Sequence, residues 1–149
     1  MEYSPILAPV VALVAWSFLI MLWMAVARGR AFASMGINFG NIPPGSRGVN
    51  LDGKAPDSAQ WKCHNYNHLM EQPTIFYAIA LTLALMGIGT GLNYWLAWGY
   101  VAFRVLHSLV QCTVNIVAIR FPLFALASLC LMVMTASAGL KLLRDCGLV

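Results

Sequence analysis

Two sets of polar side chains sit at helical spacing inside apolar sequence. His64, Asn67, His68 and Glu71 stand at i, i+3, i+4 and i+7, and Arg104, His107, Gln111 and Asn115 at i, i+3, i+7 and i+11. Each set falls on a single face of an α-helix. Imidazoles, a carboxylate, a guanidinium and carboxamides gathered this way can hydrogen-bond a polar guest, hold its charges and move protons. At membrane depth such groups are costly, so they normally face a bundle interior or a watered cavity and mark a functional site. The pattern predicts a polar pocket between two helices of a membrane protein.

Composition requires the elements that would carry these stripes. The 149 residues are 60% hydrophobic and only 9% charged, and the mean hydropathy is +0.75, too apolar for a soluble domain of this size. Uncharged stretches cover 3–27, 72–103 and 121–140, each long enough to cross a hydrocarbon core of roughly 30 Å. The stretch 72–103 is too long for one helix and is broken by Gly87, Gly89, Gly91 and Asn93. Four spans result, over about 5–27, 60–87, 93–118 and 121–143, joined by a connection over 28–59. The expected fold is an all-α, integral membrane four-helix bundle forming a single domain over 1–149. Ala25-Val26-Ala27 mimics a signal-peptide cleavage site, but Glu2 replaces the basic start and the apolar run is too long, so a retained helix is expected.

Orientation follows from the basic residues. Arg28, Arg30, Arg47, Lys54, Lys62 and Arg120 lie on the side of the first and third connections, against Lys141 and Arg144 on the side of the termini. The positive-inside rule places 28–59 in the cytoplasm and both termini outside, as for a multi-pass protein of a bacterial inner membrane. The net charge of +4 then reflects topology and anionic headgroups. No basic helix face with interleaved aromatics points to nucleic acid.

With helix two entering near Gln60, Glu71 lies roughly 17 Å deep at 1.5 Å per residue, and Arg104 on the antiparallel helix three lies roughly 21 Å deep. The two are therefore expected to pair, either as a structural ion pair that fixes register or as the floor of a site. His64, His68, His107, Gln111 and Asn115 lead from that level toward the cytoplasm, with Arg120 at the rim, as a ligand pocket open to water requires. Arg28 and Arg30 either add charge to that rim or anchor the helix at the interface. The loop over 33–59, with Pro43-Pro44-Gly45 and Pro56, either caps the pocket or only connects. His64 and His68 at i, i+4 can place two imidazoles on one metal ion, but no H-E-x-x-H pattern accompanies them and no metal is expected. Cys63, Cys112, Cys130 and Cys146 show no C-x-x-C spacing and no disulfide framework.

The segment from Asn65 to Tyr77 (NYNHLMEQPTIFY) resembles the second-helix signature of the MAPEG family, the membrane-associated proteins in eicosanoid and glutathione metabolism, here of bacterial type. Arg104 to Gln111 (RVLHSLVQ) is similar to the family's third-helix pattern, and Arg120 with Phe121-Pro122 is similar to the arginine that opens its fourth helix. The resemblance implies a homotrimer that binds glutathione as co-substrate between subunits near the cytoplasmic face. It implies that Glu71 sits near the glutathione amine, that Arg104 is the buried arginine, and that Arg120 has the catalytic role at the glutathione sulfur. His64, Asn67, His68, His107 and Gln111 would complete the binding site. Where the catalytic eicosanoid members carry arginines and an asparagine on helix two, this chain has His64, Asn67 and His68, and Gln111 replaces the expected tyrosine.

The expected function is a glutathione-dependent transferase or peroxidase acting on lipophilic electrophiles that partition from membrane lipids. The alternative is a non-catalytic member of the same fold that binds a lipid or an anionic ligand. A small ion-coupled transporter that titrates Glu71 is a third class, disfavoured because Arg104 would hold the carboxylate ionised.

Overall fold

The computed structural model describes residues 3–38, 40, 42–48 and 53–148. Among these described residues five α-helical segments follow one another: α1 Leu7–Ser34, α2 Asp57–Leu69, α3 Gln72–Leu85, α4 Gly91–Thr113 and α5 Val117–Asp145. Segments α2 and α3 are two halves of one arm, so the molecule is an all-α four-helix membrane bundle, with no strand among the described residues. The most extensive packing is α4 on α5, followed by α1 on α2. The end of the bundle from which α1 exits and α2 enters is called here the loop end.

Helices α1 and α5 are both long and apolar enough to cross a membrane. Phe18, Leu22, Leu85, Trp95 and Met132 are all exposed, a surface suited to lipid rather than to water. Hydroxyls within α1, α3 and α5 are satisfied by their own backbone: Ser17, Thr82, Ser128, Thr135 and Ser137 each donate to the carbonyl four residues earlier. Inside, the Phe76 and Tyr100 rings stack at 4.4 Å and 11° among Leu13, Leu83 and Met134.

Helix α1 continues past Arg28 and Arg30 to Ser34, and α5 begins at Val117, so Arg120 lies in its first turns rather than ahead of it. Arg28 lies against the loop backbone at Gly48, where a Cβ would fall 2.7 Å from Nη1, so the loop approaches α1 closely because position 48 has no side chain.

The larger departure lies in the second arm. A continuous helix over 60–87 is expected from hydropathy, but the structure breaks it at Met70 and Glu71. Proline in a helix interior removes one amide hydrogen bond and its ring clashes with the carbonyl four residues earlier. For Pro73 that carbonyl belongs to Leu69, the last residue of α2. The chain turns there, Thr74 Oγ1 donates to the Glu71 carbonyl at 2.6 Å, and Pro73 is left in the first turn of α3, where a missing amide costs nothing.

Candidate ligand-binding site

The break creates the site. Ending α2 at Leu69 leaves its last carbonyls without intrahelical donors. Arg104 of α4 fills the gap: Nη2 donates to the His68 backbone carbonyl at 2.8 Å, and Nη1 bonds to the His68 ring at Nε2, at 3.0 Å. A guanidinium beside a helix C-terminus also meets the negative end of the helix dipole.

The ring contact determines a proton position. Arginine can only donate, so Nε2 of His68 is the acceptor and its proton resides on Nδ1. Nδ1 then donates to Glu71 Oε2 at 3.1 Å. The expected Glu71–Arg104 ion pair is therefore corrected by the structure: the two side chains do not meet, and the neutral His68 ring stands between them. Arg104 is 1% exposed, whereas the Glu71 side chain is 68% exposed. The bend at Met70 leaves the Glu71 carboxylate beside His68, where it borders the same cavity without reaching Arg104.

His64, His68, Glu71, His107, Gln111 and Arg120 line one open cavity of about 260 Å³. Five residues singled out from spacing, His64, His68, Glu71, His107 and Gln111, are thus brought together with Arg120, expected at the rim, from α2, the break, α4 and α5. His107 and Gln111 are 5% and 7% exposed, yet Nδ1 of the first and Oε1 of the second have no hydrogen-bond partner among the described residues. Buried polar atoms are rarely left unpaired, so these two suit a polar guest. Arg120 is aimed by its neighbour: Nη1 donates to Asn115 Oδ1 at 2.6 Å. Asn115 lies beyond the end of α4 in the left-handed region, φ 52°, a conformation asparagine tolerates better than most residues. The expected stripe therefore ends at Gln111, and Asn115 serves by orienting Arg120. Phe124 of α5, not anticipated from the sequence, packs against the His68 ring at 5.5 Å between centroids, while His107 stands 5.0 Å from that ring.

Asn67 turns elsewhere. It lines a second cavity, of about 320 Å³, with Arg28, Gly48, Cys63, His64 and Tyr66, so only His64 borders both. Lys62, read from sequence as a topology charge, is buried at 9% exposure, with Nζ donating to Ser58 O at 2.8 Å and to Cys112 O at 3.1 Å. It caps the C-terminal end of α4 as Arg104 caps that of α2. Among the described residues no group of three or more His, Cys, Asp or Glu side chains is placed to hold a metal, and Cys112, Cys130 and Cys146 form no disulfide.

A four-helix membrane bundle with a polar cavity between its second, third and fourth arms is the class that this fold defines. The model of the MAPEG family matches residues 6–140. The chain belongs to the MAPEG family. Neither the curated proteins nor the solved structures include a significant match to it.

Proposed function

We propose that the protein is a glutathione-dependent transferase or peroxidase acting on lipophilic electrophiles at the membrane. The family includes such enzymes, and the observation that carries the reading is the cavity at His64, His68, Glu71, His107, Gln111 and Arg120. Its side chains match the functional groups of glutathione. The exposed Glu71 carboxylate, oriented by His68 Nδ1–H, suits the γ-glutamyl ammonium. His107 Nδ1 and Gln111 are free to bond peptide groups. The guanidinium of Arg120 suits an anion, and a free thiol with pKa near ~8.5 becomes a better nucleophile where a cation stabilises its thiolate.

The chemistry then follows. The thiol proton leaves to water at the mouth of the cavity, and the thiolate attacks the electrophilic carbon. The carbon–sulfur bond forms as the bond to the leaving group breaks, and the leaving group departs with its electron pair. At about 260 Å³ the cavity is below the roughly 300–1,000 Å³ of complete small-molecule sites. That shortfall supports a homotrimer in which a neighbouring subunit completes the site. Arg120 at the rim is consistent with a cytoplasmic opening and with the topology expected from the basic residues.

A second reading has its own observation. Arg104 spends both terminal nitrogens on His68, so among the cavity-lining residues Arg120 is the one guanidinium left for the two carboxylates of glutathione. A non-catalytic member that binds a lipid or another anionic ligand is favoured by that economy of cations. Isothermal calorimetry of the detergent-purified protein with glutathione, followed by a conjugation assay with a generic aryl halide, separates the two. Heat of binding with conjugate formation supports the enzyme, and heat without conjugate supports the binding protein.

A further inference from the structure

A groove of about 400 Å³ lies between α1 and α2 at the loop end, lined by Trp23, Val26, Arg30, Ser34, Ser58 and Lys62 among others. Its lining includes two cations and no carboxylate. Among the described residues, Arg30 is exposed and makes no ion pair or hydrogen bond. Lys62 differs: its ammonium is held by two backbone carbonyls and lies 4.9 Å from the centroid of the Trp23 ring. An ammonium has three protons to donate. With two spent on Ser58 O and Cys112 O, the third remains for a guest. The groove is therefore a cationic site, with one charge held in place by Lys62 and one exposed, unpaired charge at Arg30.

Its level in the bundle limits the guest. Arg30 lies about one turn from the end of α1 and Lys62 little more than one turn from the start of α2, so both stand near the membrane–water boundary. Val26 and the Trp23 ring continue the groove toward the apolar midsection, and tryptophan is favoured at headgroup level. A guest must therefore be anionic at one end and apolar at the other.

We propose that this groove is a binding site for the phosphodiester headgroup of an anionic phospholipid, with Arg30 and Lys62 on the phosphate and the acyl chain along Trp23 and Val26. The site is separate from the cavity at Glu71 and Arg120. It does not depend on whether glutathione binds there. Basic pockets between membrane helices recognise anionic headgroups by this combination of charge and apolar contact.

The test uses the full chain in phosphatidylcholine vesicles containing phosphatidylglycerol brominated on its acyl chains. Quenching of Trp23 is read as the difference in emission between the wild type and Trp23→Phe. Brominated phosphatidylglycerol should quench Trp23 far more, at equal mole fraction, than brominated phosphatidylcholine. Arg30→Gln, a change at an exposed position, should weaken that preference roughly fivefold, the loss expected for one basic side chain at an anionic surface. Millimolar inorganic phosphate should leave the quenching unchanged. Relief by phosphate would assign the groove to a soluble anion and overturn the lipid reading. Equal quenching by the two lipids, an unaltered preference in Arg30→Gln, or no quenching because a second copy fills the groove would each overturn it as well.

Discussion

Arg104 grips His68 at two points, its ring at 3.0 Å and its backbone carbonyl at 2.8 Å, across a helix break set by Pro73. Lys62 returns the arrangement by capping Cys112 on α4 at 3.1 Å. Each helix of the antiparallel α2–α4 pair thus carries the cation that ends the other. The polar cavity lies just beside this reciprocal clasp, so the residues that hold the bundle also position the site.

Unequal costs should follow from removing the two charges once expected to pair. Arg104→Gln removes hydrogen bonds made by a buried cation, each worth about 1.5–3 kcal/mol. The Glu71 side chain is 68% exposed, so Glu71→Gln should change stability by no more than roughly 0.5 kcal/mol. Thermal unfolding in detergent should show a clear drop for the first variant and almost none for the second. Equal losses would mean that the carboxylate and the guanidinium meet directly.

Lys62→Met keeps an unbranched apolar side chain but deletes the ammonium that caps α4 and lies over the Trp23 ring. We expect a loss of about 1–3 kcal/mol, the cost of leaving a buried carbonyl unsatisfied. An unchanged melting temperature would show that Cys112 O finds another donor.

Much of the site was legible because polar side chains inside apolar helices must face one another, and spacing alone reveals which share a face. His64, His68, His107 and Gln111 meet on that basis. Hydropathy does not locate the break, because Leu69 and Ile75 on either side of it are both apolar. Pro73 was the available signal, through its clash with the carbonyl of Leu69. Without the break, depth alone matches Glu71 with Arg104, although Glu71 still reaches the cavity through His68. Asn67 was assigned to the stripe by its i+3 position, yet α1 and the loop at Gly48 form a second cavity on its side. In the sequence Lys62 shows only its charge, since no pattern in α2 indicates that a carbonyl of α4 ends beside it.

Pro73→Ala should test the break itself. With an amide at position 73 the helix can run through, and the His68 carbonyl then accepts from Gln72 rather than from Arg104. Helical circular dichroism should rise while affinity for glutathione falls. A rise in helicity with unchanged affinity would separate the break from the site.

Topology is open to direct chemistry. A single accessible cysteine at Ser46→Cys, with the native cysteines replaced, should react with a membrane-impermeant maleimide only after the membrane is permeabilised. Reaction in intact cells would place the loop, and the mouth of the cavity, outside.

The central claim is that the cavity holds glutathione with its sulfur facing Arg120. Ultraviolet difference absorbance on adding glutathione at near-neutral pH reports thiolate directly. Wild type should show a thiolate signal, and Arg120→Ala should lose it while keeping most of the binding heat, because only the reacting form is stabilised by the guanidinium. Binding without any thiolate signal in the wild type, or an equal signal in Arg120→Ala, would contradict the account.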